Sequence, residues 1–391
     1  MIATDTWEGA SVDVPTIESA IARLWHGASN GVHSHPPART SVINLVAYVS
    51  REDDVDRVSN AIGELTERHP SRTIVVVADP QAPTSSIDAR VVAQCGEATL
   101  VQERLCWEQV TLTAHGAAAL HASSIVTPLL RPELPTYLWW SEDAPFGSDL
   151  FSRMLDLCDR LIVESSRFAR PVDGLAKLWA ISRTGREDRG VSDFNWIRLT
   201  PWRGLIAQFF DPPEIQPYAR RIDSVAITYA RADGDRTGAT GGTGAASPSQ
   251  ALLLAGWLTS RLGWTPRSSG ARRRGDLLHL EADRPGLTVP IKIEAQPSDG
   301  ATAGHVLSLT LNGTLRDVPA SFTVQRCADD DTATTTTAIG PAAPITRTAR
   351  MATRPLGDLL AEELDVFRHD RVYEDALGAA ALMCERLAAG E

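Results

Sequence analysis

From Ser41 onward, short apolar runs alternate with amphipathic segments, and that rhythm sets the first expectation for the fold. Ser41-Val42-Ile43-Asn44-Leu45-Val46-Ala47-Tyr48-Val49 has the length and branched content of a strand. Residues 53–68 follow with Val55, Val58, Ile62 and Leu65 at helical spacing and acidic residues in the first turn, where they complement the helix dipole. His69-Pro70 ends that helix. The near-continuous apolar run Arg72-Thr73-Ile74-Val75-Val76-Val77-Ala78-Asp79-Pro80 suits a strand covered on both faces. Further strands are predicted around 98–105, 136–140 and 160–164, with helices around 114–129, 148–157 and 171–181. Strands alternating with helices imply an α/β domain over 1–193, with a Rossmann-like, doubly wound, largely parallel sheet.

The second half changes rhythm. Residues 195–211 read as a helix restarting at Pro201 behind a Thr200 cap, bridging two domains. Beyond it lie a strand at 224–230, a helix at 250–262, strands near 277–280, 287–294, 306–311 and 321–325, and closing helices at 355–367 and 370–387. Successive strands flanked by helices predict an antiparallel α+β domain over 194–391. Gly, Ala, Thr and Ser dominate near 232–249 and again near 328–348, and both stretches are expected as flexible inserts.

A length of 391 residues supports the two-domain reading. The net charge of −11 and pI near 5.4 argue against nucleic acid, whose binding requires neutralised phosphates. The densest basic run, Arg272-Arg273-Arg274, reads as a solvated turn. Cys95, Cys106, Cys158, Cys327 and Cys384 form no Cys-x-x-Cys pair, which suits a reducing compartment. The start of the chain has no signal-like pattern and no apolar run is long enough to span a bilayer, so a cytoplasmic protein without membrane contact is expected.

Candidate chemistry is sparse. No Gly-x-Gly-x-x-Gly or Walker phosphate loop is present, and the glycines of 238–244 lack the strand and helix that would position their amides on phosphate. Gly27-Ala28-Ser29-Asn30-Gly31 matches a nucleophile-elbow pattern, yet it follows a helix-like segment and leads into the loop His33-Ser34-His35-Pro36-Pro37. His26, His33 and His35 have no nearby carboxylate or cysteine to complete a metal site, and His115 and His121 lack helix-face spacing. Arg39 and His69-Pro70-Ser71-Arg72 fall at strand entrances, opposite the edge where doubly wound folds bind ligands. No catalytic residue, metal or cofactor is therefore assigned. The stretch Leu129-Leu130-Arg131-Pro132-Glu133-Leu134-Pro135-Thr136-Tyr137-Leu138-Trp139-Trp140 ends a short strand in paired tryptophans, which fits a ligand mouth, a partner surface or core packing.

Taken in order, several of these landmarks resemble the glucose-6-phosphate dehydrogenase assembly protein family, OpcA. They are Thr40 to Val46, His69 to Arg72, Leu129 to Trp140 and Asp159-Arg160-Leu161-Ile162-Val163-Glu164-Ser165. The second half adds Leu199-Thr200-Pro201-Trp202-Arg203, Gln208-Phe209-Phe210-Asp211, Ala255-Gly256-Trp257-Leu258, Arg261-Leu262-Gly263-Trp264, Glu362-Glu363-Leu364 and Arg371-Val372-Tyr373-Glu374. The resemblance runs from about residue 15 to 388 and implies a noncatalytic protein that binds glucose-6-phosphate dehydrogenase and raises its activity, feeding the oxidative pentose phosphate pathway. Exposed members of the set Trp139, Trp140, Trp202, Arg203, Phe209 and Phe210 are the candidate contacts with that partner. The alternative is a Rossmann-like sugar-phosphate or nucleotide-sugar enzyme, which leaves a sugar phosphate open as a ligand.

Overall fold

The computed structural model describes residues 3–29, 38–39, 41–50, 52–65, 71–97, 104–184, 189–231, 247–298, 300–328, 331–366 and 369–388. Its elements begin with β1 (Ala3–Gly9), α1 (Val14–Ser29), β2 (Ala38–Arg39), β3 (Ile43–Val49), α2 (Glu52–Leu65), β4 (Ser71–Asp79), β5 (Ser86–Glu97) and β6 (Arg104–His115). Next come α3 (Ala117–Leu120), α4 (Ala122–Val126), β7 (Thr136–Trp140), α5 (Asp149–Asp156), β8 (Arg160–Val163), α6 (Pro171–Thr184) and β9 (Gly190–Asp193). The second half contains α7 (Phe194–Arg198), α8 (Thr200–Gln208), β10 (Ile222–Arg231), α9 (Ser249–Arg261), β11 (Thr265–Arg274), β12 (Leu277–Arg284) and β13 (Leu287–Pro297). The last elements are β14 (Val306–Leu315), β15 (Val318–Arg326), β16 (Thr332–Ile339), β17 (Ile345–Arg350), α10 (Leu356–Leu364) and α11 (Arg371–Ala388).

Two compact units result. The first comprises Met1–Val163, Arg186–Ser192 and Pro355–His369, and the second Glu164–Gly185, Asp193–Arg354 and Asp370–Glu391. The backbone thus leaves and re-enters each unit more than once.

The first unit holds a sheet in the order β1-β5-β6-β4-β3-β7-β8-β9, with β2 on β6. The run β6-β4-β3-β7-β8 is parallel, as the continuous apolar strands require; β5 and β1 add an antiparallel edge. This is the expected doubly wound α/β architecture. All seven residues of β3 and all five of β7 are buried. Asn44 explains part of the Leu129 to Trp140 motif: its side chain donates to the carbonyls of Arg131 at 2.9 Å and Leu134 at 3.2 Å, and accepts from the Arg131 amide at 3.0 Å. One buried amide therefore holds the proline turn against the start of β3, an arrangement that satisfies both partners away from water.

Between residues 81 and 129 the structure departs from expectation. Of the strand expected at 98–105, residues 98–103 lie outside the described residues and Arg104 and Leu105 open β6; β5 and β6 form a long antiparallel pair, and the helix expected at 114–129 is split into α3 and α4. Ala89, Val91 and Ala93 alternate inward on β5, and Val110, Leu112 and Ala114 on β6, a period-two pattern to which the sequence analysis assigned no strand. Gly116 has φ +54°, and a Cβ there would lie 2.8 Å from the Thr84 carbonyl, so the chain turns where only glycine fits. The β5/β6 register sets Cys95 opposite Cys106 in the backbone ladder.

The second unit is α+β. Its sheet runs β11-β12-β13-β10-β14-β15-β16-β17, antiparallel throughout except for β10 beside β13. Helix α9 is apolar on nearly all sides, as a helix enclosed by neighbours should be, and packs closely on α11. Gly256 makes that approach possible, since a Cβ would sit 2.1 Å from the Ala376 carbonyl oxygen. The sheet's other face carries half-exposed hydroxyls and amides bonded across strands: Thr228 to Ser308 at 2.7 Å, Thr310 to Thr323 at 3.1 Å and Asn312 to Ser224 at 3.2 Å.

Two expectations are corrected here. The threonine-rich part of 328–348, expected as a flexible insert, forms strand β16, paired between β15 and the exposed edge strand β17, because β-branched threonine suits a half-buried pleated surface. Arg272-Arg273-Arg274 ends strand β11 and is paired with β12, with the turn beginning at Gly275. The glycine-rich stretch 232–246, His33, His35, His69-Pro70 and the Asn30-Gly31 end of the elbow-like pattern lie outside the described residues.

Candidate functional site

Doubly wound sheets bind ligands outside the carboxyl ends of their strands, where the strand order reverses. In the first unit that point lies between β3 and β7. The Ser141 amide and hydroxyl both donate to the Tyr48 carbonyl, at 3.2 and 2.9 Å, tying the two strand ends together. The Ser50 hydroxyl donates to Glu142 Oε2 at 2.6 Å and the Ser50 amide to the same oxygen at 3.3 Å. Arg57, from α2, donates to the Ser141 carbonyl at 2.8 Å and to Asp54 Oδ1 at 3.1 Å. Tyr48 stacks on Trp140 with centroids 3.9 Å apart, and its hydroxyl pKa is pushed up by burial and then by the charge of Glu142. A protein carboxylate thus takes the amide and hydroxyl at the β3 exit, ahead of a helix whose first turn reads Glu52-Asp53-Asp54. A pyrophosphate would meet negative charge in the place where other folds offer it free amides.

Burial sorts the predicted partner contacts. Trp139, Trp140 and Trp202 are 0%, 1% and 0% exposed, and Phe209 is 7% exposed, so these four are core residues and cannot be surface anchors. Trp140 packs edge-on against Phe151, and Phe209 lies against Phe322. Core packing, one of the three readings of the tryptophan pair, is the outcome. Arg203 and Phe210 are half-exposed. Arg203 is stacked 3.4 Å over the Trp196 ring and donates to the Trp196 carbonyl at 2.9 Å and the Thr200 hydroxyl at 3.0 Å, so its guanidinium is held rigidly.

The second unit contains a polar cluster that sequence reasoning missed. Asp193, fully buried, accepts from the amides of Ser165 at 3.1 Å and Asn195 at 2.9 Å. Asn195 donates to the Ser165 hydroxyl at 2.9 Å and accepts from Gln250 at 3.1 Å and Arg198 at 3.2 Å. Arg198 also pairs with Glu164 at 2.7 Å, and Gln250 Oε1 accepts from the Val306 amide at 3.2 Å. Burial pushes the Asp193 carboxyl up to about 6, against the lowering effect of its hydrogen bonds and of Arg198. At the edge of this network a pocket is lined by Arg198, Gln250, His305, Arg326, Thr353 and Arg354, with Pro201, Met351 and Ala352. Its residues are spread from 198 to 354, and no local motif announces them. Among the described residues no cluster of three metal-ligating side chains is present, and no helix is long and apolar enough to cross a membrane.

Comparison with known families places both halves. Residues 63–180 match the OpcA description "Glucose-6-phosphate dehydrogenase subunit N-terminal domain", and 189–377 match the corresponding C-terminal domain. The chain belongs to the OpcA family. It is 34% identical over 193 residues to the OpcA protein of Synechocystis sp., covering 48% of this chain and 37% of that relative. Against OpcA of Synechococcus elongatus the figures are 29% over 307 residues, 76% of this chain and 64% of the relative. Both are named for the OxPP cycle, and the matched part of this chain spans less than two thirds of each. Among solved structures, the chain is similar to an oxidoreductase from Bacillus cereus at TM-score 0.48 and 12% identity, covering 88% of this chain and 95% of the other. A Gfo/Idh/MocA family oxidoreductase from Vibrio cholerae gives TM-score 0.43 at 10% identity, covering 89% and 99%. Within the OpcA family frame, the landmark Ala255-Gly256-Trp257-Leu258 falls at the close α9–α11 contact, and Glu363 of the tail landmark is the buried partner of Arg160 at 3.2 Å.

Proposed function

We propose that this chain is a noncatalytic assembly factor and allosteric activator of glucose-6-phosphate dehydrogenase, acting in the cytoplasm on the entry to the oxidative pentose phosphate pathway. Two domains of the OpcA family matched in order support the partner. The observation that carries the noncatalytic reading is the crevice between β3 and β7, where Glu142 occupies the Ser50 amide and hydroxyl. A carboxylate held there opposes the anionic cofactor that a doubly wound dehydrogenase domain accommodates.

An activator acts by binding one state of its partner more tightly than another, and a coupling of about 1–3 kcal/mol raises affinity about 5–150-fold. That requires a rigid surface rather than a reacting group. Arg203 and Phe210 are the surviving contact candidates. The first is fixed on Trp196, and the second is backed by Phe322, at a centroid separation of 5.1 Å. Phe210 also meets the buried Phe209 edge-on at a centroid separation of 6.5 Å.

The test is dehydrogenase activity across a glucose 6-phosphate titration, with and without the chain, using the enzyme of the same cell and size-exclusion chromatography in parallel. Lowered half-saturation and a co-eluting complex are expected, both weakened in Arg203→Ala and Phe210→Ala. No complex and no change in rate would overturn the proposal.

A further inference from the structure

Strand pairing in the second unit lines up one face of its sheet residue by residue. The face that carries Ile227, Leu309 and Phe322 is buried, with α8, α9 and α11 packed on the sheet. On the opposite face Ala226, Thr310, Thr323, Thr336 and Thr346 form a row across β10, β14, β15, β16 and β17. Rows from Thr228 to Thr348 and from Ser224 to Ala338 flank it. The three rows hold fourteen residues, all half-exposed or exposed, and none of them is charged. At the 22% charged content of the chain about three charges would be expected there, and solvated surfaces run higher, at about 25–35%.

Taking this face out of water costs little. Thr228 bonds to Ser308 at 2.7 Å, Thr310 to Thr323 and Thr336 to Thr346 at 3.1 Å, and Asn312 to Ser224 at 3.2 Å, all within the sheet. Polar groups already paired with each other lose few bonds when water leaves. Serine, threonine and alanine also have little rotamer freedom to give up, unlike the lysines and glutamates of an ordinary solvated strand.

Charge selects the occupant. The chain carries −11, so two copies repel over most of their surface and approach most closely where no charge is present. On the other side of β10 the same face carries both signs, with Lys292 and Glu294 on β13, Glu281 on β12 and Arg272 on β11. A uniformly acidic or basic partner meets repulsion there, whereas an identical face can set its cations on the other's carboxylates. The extent is adequate as well. Eight strands spaced about 4.8 Å apart, each with about 20 Å of length, present about 800 Å², which is the area each partner buries in a standard protein interface.

We propose that this face is the interface between two copies of the chain, related by a two-fold axis and stacked sheet on sheet about 10 Å apart. The uncharged rows form its dry centre, and the charged residues of β11, β12 and β13 form its rim. The interface lies wholly within the second unit and goes beyond the activator reading, which it does not require.

The experiment is sedimentation velocity of the full chain alone, from about 1 to about 100 μM. A concentration-dependent rise in mass from 42.2 kDa toward twice that value is expected. Thr310→Lys sets a charge at the centre of the face, and Thr336→Lys sets one two strands away. Both lower the magnitude of the net charge, so general repulsion falls and dissociation reports the face itself. Each should weaken dimerisation about tenfold or more. Gln216→Lys, the same change of charge at an exposed position outside the sheet, should leave it unaltered. Circular dichroism checks that each variant is folded. A wild type that stays monomeric at about 100 μM, or equal dimerisation of wild type and both face variants, would overturn the proposal. A monomeric wild type whose complex with the dehydrogenase is lost in Thr310→Lys would assign the face to that enzyme and overturn it equally. Because the mass measurement contains no dehydrogenase, its failure is separate from failure of the activation assay.

Discussion

Asp193 offers a prediction whose sign and size both follow from its surroundings. The carboxyl is fully buried, and its pKa is raised from 3.8 to about 6. Well below pH 4 it is protonated whether the chain is folded or not, and it contributes no pH dependence. As pH rises through the unfolded value, the unfolded chain releases this proton while the folded chain keeps it, so the folded state is progressively disfavoured. The loss levels off once pH exceeds the folded value. At about 1.4 kcal/mol per unit, the shift corresponds to about 3 kcal/mol lost between roughly pH 4 and pH 6. Asp193→Asn keeps an oxygen to accept from the Ser165 and Asn195 amides but cannot titrate. Urea unfolding of wild type and variant across pH 4 to 7 isolates this residue, since every other carboxyl is common to both. The variant should gain about 3 kcal/mol relative to wild type as pH rises over that window. A constant offset between the two proteins at every pH would refute the reasoning.

Other substitutions probe the packing that positions these surfaces. Gly256→Ala forces a Cβ to within 2.1 Å of the Ala376 carbonyl oxygen, and overpacking of this kind should cost about 1–3 kcal/mol, read as a lower midpoint in thermal unfolding. Glu363→Ala leaves the Arg160 guanidinium buried without this carboxylate, at an expected cost of about 3–5 kcal/mol in chemical denaturation. Asn44→Ala strips the proline turn of its side-chain bonds to β3, including the acceptor for the Arg131 amide, while the backbone bond from residue 44 to the Pro135 carbonyl remains; it should destabilise by about 2–4 kcal/mol, with faster hydrogen exchange at Arg131.

The candidate sites were legible in the sequence to very different degrees. Trp139 and Trp140 attract notice as residue types, but a five-residue strand with both faces covered looks the same in sequence whether its tryptophans meet solvent or core. The two are 0% and 1% exposed because β7 is an interior strand whose side chains are covered by neighbouring elements, Trp140 by Phe151 of α5. Arg203 and Phe210 were named beside them with no sign that they alone of the six would be half-exposed. The arginine pocket left no trace in the sequence, because its members are far apart along the chain and arginine is an ordinary surface residue. The Ser50–Glu142 bond joins residues 92 apart, and only the parallel pairing of β3 with β7 brings their following loops together.

Local pattern was sufficient for the alternation of strand and helix in the first half outside 81–129, for the succession of strands in the second, and for the ordered landmarks of the OpcA family. Those properties depend on neighbours a few residues away, where hydrophobic period and turn chemistry act directly. Tertiary structure alone decided which strands lie side by side, that threonine-rich 332–339 forms a strand, and that Cys95 stands opposite Cys106. It also decided which aromatic residues are core and which distant residues line one pocket of the second unit. Burial and long-range pairing are set by what the rest of the chain places on each face, and that sum is not contained in any short window of residues.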